Sequence, residues 1–204
     1  MDDPKPMNGE KARPNPFRRV VETILILAVC TCLVFLVMYK QRALRYAVEN
    51  PGAGRTLLAS AAILFGADIE EKDINQASLL FHAVQSDNME MIEYLIAKGA
   101  DVQSKMSDKS TLLHIAALQN NPEIVKYFLA KGLDPNAEAE YRATPLTTSP
   151  LTNLEVVKLL VEAGADVNHK TAFGQSVLEI AKKTNAPQEV VDYLTQHAAQ
   201  DKQK

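Results

Sequence analysis

Apolar residues recur along this chain at helical spacing, and the pattern itself repeats. The stretch 90–102 carries apolar side chains at positions i, i+1, i+4 and i+5, which share one face of a helix. The same pattern returns in 123–136 and in 155–168. An earlier copy lies at 57–69. A glycine ends the helix of each copy, where a left-handed residue is needed, and these closing glycines lie 33, 33 and 32 residues apart: Gly66, Gly99, Gly132 and Gly164. A fixed period near 33 residues predicts an array of short helical repeats.

A second motif precedes these stretches at the same period. It reads SLLFHA at 78–83, TLLHIA at 111–116, TPLTTS at 144–149 and SVLEIA at 176–181. The first residue, Ser or Thr, can cap a helix, and the leucine at the third position would stack on its counterparts in a continuous core. Together the two motifs predict two helices per unit, followed by a projecting turn.

The two motifs resemble those of the ankyrin-repeat family, whose units carry T-P-L-H-x-A and then a G-A-D-x-N turn. The resemblance covers about residues 43–198. It implies an all-α ankyrin-repeat solenoid of about four to five helix-turn-helix units. It also implies a structural role for His114, because the histidine of this motif hydrogen-bonds within and between repeats.

One unit departs from the pattern. The unit that starts at Thr144 is one residue short and carries Pro150 early in its first helix. Proline lacks an N–H group and its ring clashes with the preceding turn, so we expect this helix to be cut to about one turn. Ser149 also stands where other units have alanine.

A long apolar run lies upstream of the repeats. Between Val20 and Tyr39 the only charged residue is Glu22, and twenty helical residues span roughly 30 Å, the thickness of a hydrocarbon core. We interpret residues 20–39 as one transmembrane helix. A cleaved signal peptide fits less well because no A-x-A site follows, and a lipoprotein signal ending at Cys30 lacks the small residue it needs before the cysteine.

These features divide the chain into a disordered N-terminal tail at 1–19, the transmembrane helix at 20–39, a juxtamembrane helix with a degenerate N-terminal capping repeat at 40–74, ankyrin repeats at 75–198 and a tail at 199–204. Residues 40–49 contain no helix breaker, so the transmembrane helix is expected to continue into the first helix of the array. Five basic residues before the apolar run oppose four after it. Positive charge favours the cytoplasmic side, so we expect a single-pass membrane protein with its repeats outside the cytoplasm, in the periplasm if the cell is bacterial.

Charge and composition narrow the function. Residues 43–204 contain 15 Lys and Arg against 21 Asp and Glu, a net charge of −6. Binding to nucleic acid needs a basic face, so we expect no nucleic-acid partner. The sequence contains no phosphate-binding glycine loop, nucleophile motif or metal-spaced His/Cys cluster, and both cysteines, Cys30 and Cys32, lie in the apolar run. We therefore expect no catalytic residue, metal, cofactor or small-molecule substrate.

A protein partner is expected at the projecting turns, here called the first to fourth tips: residues 70–75, 104–109, 137–142 and 169–173. The resemblance implies that such arrays bind proteins through these tips and the concave face of the first helices. The candidate contact residues are Met106, Asp108, Tyr141, Arg142 and Phe173 on the tips, and His82 on the concave face. Tyrosine and arginine are frequent anchors in interfaces. The alternative is that the aromatic residues merely pack the turns together.

The sequence thus favours a non-catalytic protein–protein interaction module that holds a protein partner at a membrane surface. If the repeats face outwards, a periplasmic immunity or protector protein that binds a toxin or supports an envelope enzyme is an alternative. If they face the cytoplasm, a scaffold or an enzyme regulator fits better.

Overall fold

A computed structural model describes residues 16–50 and 55–200, and its regular elements are all helical. In chain order they are α1 (Pro16–Glu49), α2 (Arg55–Leu64), α3 (Leu79–Gln85), α4 (Met89–Ala97), α5 (Leu112–Gln119), α6 (Pro122–Ala130), a 3-10 turn (Glu140–Arg142), α7 (Pro145–Thr148), α8 (Leu154–Glu162), α9 (Val177–Lys183) and α10 (Gln188–Gln200).

The helices pair into five units that stack in chain order. Each odd-numbered helix packs against the even-numbered helix that follows it. The first helices of neighbouring units also pack side by side, from α1 to α9, and second helices do likewise where α2 meets α4, α6 meets α8 and α8 meets α10. The all-α solenoid predicted from the repeat pattern is confirmed.

The core consists of the repeated apolar positions. Leu80, Leu113 and Leu146 from three successive first helices have no exposed surface. Burying one leucine side chain contributes about 1.5–3 kcal/mol, so this column is a main source of stability. Leu178, its counterpart in α9, is only partly buried.

The first helices begin at the expected capping residues. In α7, Thr144 and Thr147 form a reciprocal capping box, with the Thr144 N–H group donating to Thr147 Oγ1 at 2.8 Å. Ser176 and Glu179 do the same for α9. Ser78 precedes α3 without a side-chain capping bond. Thr111 and His114 form a capping box at α5, so three of the four predicted caps include side-chain bonds.

His114 connects two units. The Thr111 N–H group donates to His114 Nδ1 at 3.2 Å, and His114 Nε2–H donates to the Ala143 carbonyl oxygen of the next unit at 3.1 Å. The imidazole is buried, and burial lowers its pKa below the ordinary value even though the bond to Ala143 acts in the opposite direction. The structural role expected for His114 is confirmed.

The closing glycines have left-handed backbone conformations. The φ angle is +98° at Gly99 and +81° at Gly132. Side chains with a Cβ atom rarely adopt this region, so glycine ends these helices at little cost. This prediction is also confirmed.

The unit containing α7 has the shortest first helix of the described array. It spans four residues, and the chain turns extended at Ser149, with ψ at 141°. Pro150 lies just after the helix and not inside it, but the predicted length of about one turn is confirmed. Leu151 then adopts a φ of +57° and is fully buried, so the unit retains an apolar anchor despite its lost helical turn.

Helix α1 runs through both the apolar stretch and the first repeat unit. Its backbone leaves helical geometry at Tyr39, where φ is −119° and ψ is 16°, so the helix is kinked there. Beyond the kink, Gln41 pairs through its side-chain amide with both backbone groups of Asp68, each at 2.8 Å. Asn136 makes a similar contact with the next unit, since its side-chain amide donates to the Gly164 carbonyl oxygen and accepts from the Asp166 N–H group. The segment after Tyr39 therefore acts as part of the solenoid.

A test of length and hydropathy over the described residues identifies no helix that could span a membrane. The side chains of 16–25, 33 and 35–38 lie outside the described set, so the transmembrane assignment of 20–39 stays a prediction. Residues 1–15 of the predicted tail also lie outside it, whereas residues 16–19 are helical in α1. At the other end, Gln200 ends α10 and residues 201–204 are not described.

Candidate protein-binding surface at the turn tips

Short-range backbone pairing closes each tip. In three tips, an antiparallel bridge pairs a lysine of the tip with the residue that precedes the following helix: Lys72 with Ser78, Lys105 with Thr111 and Lys170 with Ser176. The third tip closes through a bond from the Ala139 N–H group to the Ala143 carbonyl oxygen at 2.8 Å, around the 3-10 turn. Each tip is therefore a narrow hairpin with a defined shape.

Backbone hydrogen bonds also join each tip to the next. In each bond a backbone N–H group donates to a carbonyl oxygen of the preceding tip: Ser107 to Asn75 at 2.9 Å, Glu140 to Asp108 at 2.8 Å and Ala172 to Tyr141 at 2.7 Å. We call this series the tip ladder. It makes the four tips one continuous edge, so side chains on different tips keep fixed separations.

The two aromatic candidates form a pair at the surface. The rings of Tyr141 and Phe173 stack with centroids 5.4 Å apart and planes inclined at 29°. They remain 58% and 71% exposed respectively, because only one face of each ring is covered. The aromatic residues thus pack two turns together, as the alternative interpretation held, and also present apolar surface to solvent.

A charged cluster lies beside this pair. Arg142 Nη2 lies 3.1 Å from Glu138 Oε1, and His169 Nε2–H donates to the Arg142 carbonyl oxygen at 2.8 Å. The hydrogen bond from Arg142 holds the pKa of Glu138 below its ordinary value. The side chains of Arg142 and Glu138 are exposed, so the pair remains available to a partner.

The third tip has an unusual backbone. Tyr141 and Arg142 both adopt left-handed conformations, with φ at 57° and 56°. The other three turns have one such residue each, within the second tip at Lys109 and directly after the first and fourth tips at Gln76 and Gly174. A left-handed residue with a side chain costs roughly 1–2 kcal/mol, so the ladder and the stack must hold this tip in place. Strain of this kind is concentrated at functional sites.

Met106 and Asp108 shape the second tip. Met106 is partly buried and packs against the core. Asp108 accepts hydrogen bonds from both the backbone N–H group and the hydroxyl of Ser110, each at 2.9 Å. Both side chains therefore stabilise the tip, and their role as partner contacts stays a prediction.

His82 of α3 lies close to Asp73 of the first tip. Its Nε2 atom lies 3.3 Å from Asp73 Oδ2, and both side chains are mostly buried. Burial by itself would raise the pKa of Asp73, but backbone N–H groups of Ala77 and Asn75 and the nearby His82 outweigh it, so the pKa falls below its ordinary value. A role for His82 in contacting a partner stays a prediction.

Two further features of the edge escaped the sequence analysis. Ile74, at the end of the first tip, is 95% exposed. An open groove of about 520 Å³ lies between the second and third tips and is lined by Ser107, Asp108, Lys109, Glu138, Ala139, Glu140, Tyr141 and Arg142. The sequence does signal Ile74, since it is a lone apolar residue within a polar run. It does not signal the groove, which depends on how the tips pair.

In 16–50 and 55–200, no three His, Cys, Asp or Glu side chains are grouped so that they could hold a metal ion.

Comparison with known families matches two parts of the chain. Residues 44–139 match a model described as ankyrin repeats in three copies, and residues 149–172 match a single ankyrin repeat. Together they cover more than half of the chain. No curated protein matches it. Residues 140–148, between the two matches, contain the left-handed pair Tyr141–Arg142 and helix α7.

Proposed function

The chain belongs to the ankyrin-repeat family, and from this premise we propose that it is a non-catalytic adaptor whose third and fourth tips bind a protein partner at a membrane. Ankyrin repeats indicate a protein–protein interaction module. Because a fold alone does not select a partner, we base the choice of surface on the exposed Tyr141–Phe173 stack.

The stack has the chemistry of an interface centre. Large exposed rings bury much apolar area on binding and lose little entropy, because each has only two rotatable side-chain bonds and is already held by its neighbour. Arg142 lies next to the stack, and arginine and tyrosine are enriched among residues that dominate binding energy. Tyr141 also lies within the stretch 140–148, which neither family match covers.

The surrounding charge selects the kind of partner. Glu138 and Glu140 precede Arg142 on the third tip, and residues 43–204 have a net charge of −6. Complementary charge raises association rates and disfavours wrong partners. The best match is a protein with an apolar pocket for the two rings and a basic rim around it.

Photo-crosslinking in cells tests this surface. We would place a benzoyl-phenylalanine at position 141 or 173, with position 155 on α8 as an exposed control at the opposite ends of the helices. The proposal expects one crosslinked species of the same mass from positions 141 and 173, and much less of it from position 155. Equal yields at all three positions, or none at the tips, would contradict it.

Membrane attachment is the second part of the proposal. The apolar run 20–39 supports it, as do the side chains of Ile26, Leu27 and Val34 on α1, each more than half exposed. Apolar side chains exposed together on one helix need apolar surroundings. Extraction of cell membranes with carbonate tests attachment: the protein should remain in the pellet, and release into the supernatant would oppose attachment through 20–39.

We propose further that the repeats lie outside the cytoplasm, on the basis of the five basic residues before the apolar run and the four after it. Protease added to cells whose inner or plasma membrane is intact should then digest the repeats. Protection until that membrane is opened would reverse the orientation and favour a cytoplasmic scaffold over an envelope protector.

A further inference from the structure

The two ends of the solenoid differ in the surface they present. A terminal repeat has one face without a neighbouring unit, and such faces are usually polar. The last helix, α10, follows this rule with exposed Gln188, Glu189 and Asp192. The first unit does not, since Leu57 and Leu64 of α2 are 76% and 83% exposed.

The first helix of the same unit also exposes large side chains. After the kink, Leu44, Ala47 and Val48 of α1 face the core and are fully buried. Tyr39 and Tyr46 lie on the opposite side, seven residues or two turns apart, and both rings are substantially exposed.

A groove lies between the two helices of the first unit. It has a volume of about 510 Å³ and is lined by Tyr39, Arg42, Ala43, Tyr46 and Leu58. The guanidinium carbon of Arg42 lies 5.9 Å from the centre of the Tyr39 ring. The groove thus combines apolar walls with tyrosine rings and a cationic head. We call Tyr39, Arg42, Tyr46, Leu57 and Leu64 the outer face of the first unit.

We propose that this outer face lies in the headgroup layer of a lipid bilayer and binds anionic lipid. This inference rests on the proposed membrane attachment. Tyrosine rings favour the boundary between headgroups and acyl chains, and arginine extends its charge towards phosphate while its stem stays in apolar surroundings. Residues 40–49 contain three basic residues and one acidic residue, so the segment attracts anionic headgroups although the rest of the domain is acidic.

The position of the face in the chain favours lipid over a second copy of the protein. The face begins at Tyr39, where the apolar run 20–39 ends, so attachment through that run places the face beside the bilayer. The kink at Tyr39 separates the direction of residues 40–49 from that of the preceding helix. The following segment can therefore lie along the membrane surface, with the tips held at a fixed height above it.

Spin-label accessibility on the full-length chain tests this arrangement. Single nitroxides are attached at positions 57 and 64 in a background that lacks both native cysteines, Cys30→Ser and Cys32→Ser. The protein is reconstituted in vesicles of phosphatidylcholine and phosphatidylglycerol. Position 34 reports on attachment and position 196, exposed on α10, reports on solvent. Collision rates with molecular oxygen and with a nickel chelate distinguish lipid from water.

We expect the ratio of the oxygen collision rate to the nickel-chelate collision rate at positions 57 and 64 to exceed that at position 196 several-fold. This ratio should fall when the vesicles contain phosphatidylcholine alone. A lipid-like ratio at position 34 with a water-like ratio at 57 and 64 would overturn this inference and leave attachment intact. Water-like ratios at all positions would overturn both. Protection of 57 and 64 from both reagents would show that protein, such as a second copy, covers the face, and would overturn this inference.

Discussion

The ring of Tyr141 stacks on the ring of Phe173 at 5.4 Å, which joins the tip before α7 to the tip after α8. The pair therefore spans the one unit whose first helix is cut to four residues. A backbone hydrogen bond joins the same two tips, with the Ala172 N–H group donating to the Tyr141 carbonyl oxygen at 2.7 Å. The most exposed aromatic surface of the repeats and the least regular unit thus lie together.

Alanine at Arg142 or Tyr141 should weaken capture of the crosslinked partner. Truncating a residue that dominates the binding energy of an interface costs about 2 kcal/mol or more, which corresponds to roughly 30-fold in affinity. Both side chains are exposed, so the melting temperature of Arg142→Ala should stay within about 4 °C of the parent. Pull-down titration and thermal unfolding measure the two effects.

Gln196→Ala is the matched control for these variants, because position 196 is exposed on α10, away from the tips. Its affinity should equal that of the parent. An Arg142→Ala protein that folds normally and binds as tightly as the parent would remove Arg142 from the interface.

The aromatic stack should contribute coupling energy to folding. Tyr141→Leu, Phe173→Leu and the double variant form a double-mutant cycle, and edge or stacked aromatic pairs contribute about 0.5–1.5 kcal/mol beyond burial. Urea unfolding of the four proteins measures the coupling. Additivity of the two single changes would mean that the rings touch without stabilising the tips.

Gly132→Ala should destabilise the protein by about 1 kcal/mol, because φ is +81° and an added Cβ would favour a negative angle. No atom lies within 4 Å of the added Cβ, so the cost comes from the backbone and not from a clash. The control is Lys131→Ala, one residue earlier, where φ is −80° and the residue is exposed. Equal unfolding midpoints for the two variants would contradict the left-handed assignment.

Acid should destabilise the array through His114. Burial lowers its native pKa below the 6.5 of the unfolded chain, so the unfolded state binds a proton first as the pH falls. Stability from this group is therefore complete above pH 6.5 and decreases below it, by at most about 1.4 kcal/mol per pH unit until the native pKa is reached.

His114→Gln removes this titration while retaining an amide that can donate and accept hydrogen bonds. Urea unfolding between pH 7.5 and about 5 should show a shallower pH dependence in the variant. Identical slopes for the variant and the parent would show that His114 does not control acid sensitivity.

Amide exchange should be fast in α7. The helix contains two intrahelical backbone bonds, at Thr148 and Ser149, at 3.0 and 3.2 Å. Their amides should exchange about tenfold or more faster than those of Ala116 and Ala117 in α5, which corresponds to about 1.4 kcal/mol less protection. Hydrogen exchange followed by NMR measures this, and equal protection would show that α7 opens only with the whole array.

Local signals predicted most of the fold. A left-handed glycine, a capping threonine and a proline that ends a helix each act within a few residues, so the positions of Gly132, Thr144 and Pro150 were enough to predict their effects. The histidine of the repeated motif belongs to the same group, because its partners at Thr111 and Ala143 occupy fixed positions in the repeat.

The candidate site depended on distant contacts and was predicted less completely. The tip ladder pairs backbone groups about 32 residues apart, which no side-chain pattern reveals. Met106 was expected on a projecting tip, but its side chain turns back onto the core. Ile74 is nearly fully exposed, contrary to the usual behaviour of isoleucine. The left-handed pair at Tyr141 and Arg142 likewise involves residue types that carry no such preference.

The shortened helix α7 also limits how cooperatively the chain can unfold. In a linear stack, the free energy of each unit adds to the coupling across its two interfaces, so a weak unit divides the stack into blocks that melt separately. The terminal α9–α10 unit is joined to the rest through that weak unit and through the Tyr141–Phe173 stack above it. A partner that binds the rings of Tyr141 and Phe173 should therefore raise the melting temperature of the α9–α10 unit more than that of the rest of the solenoid.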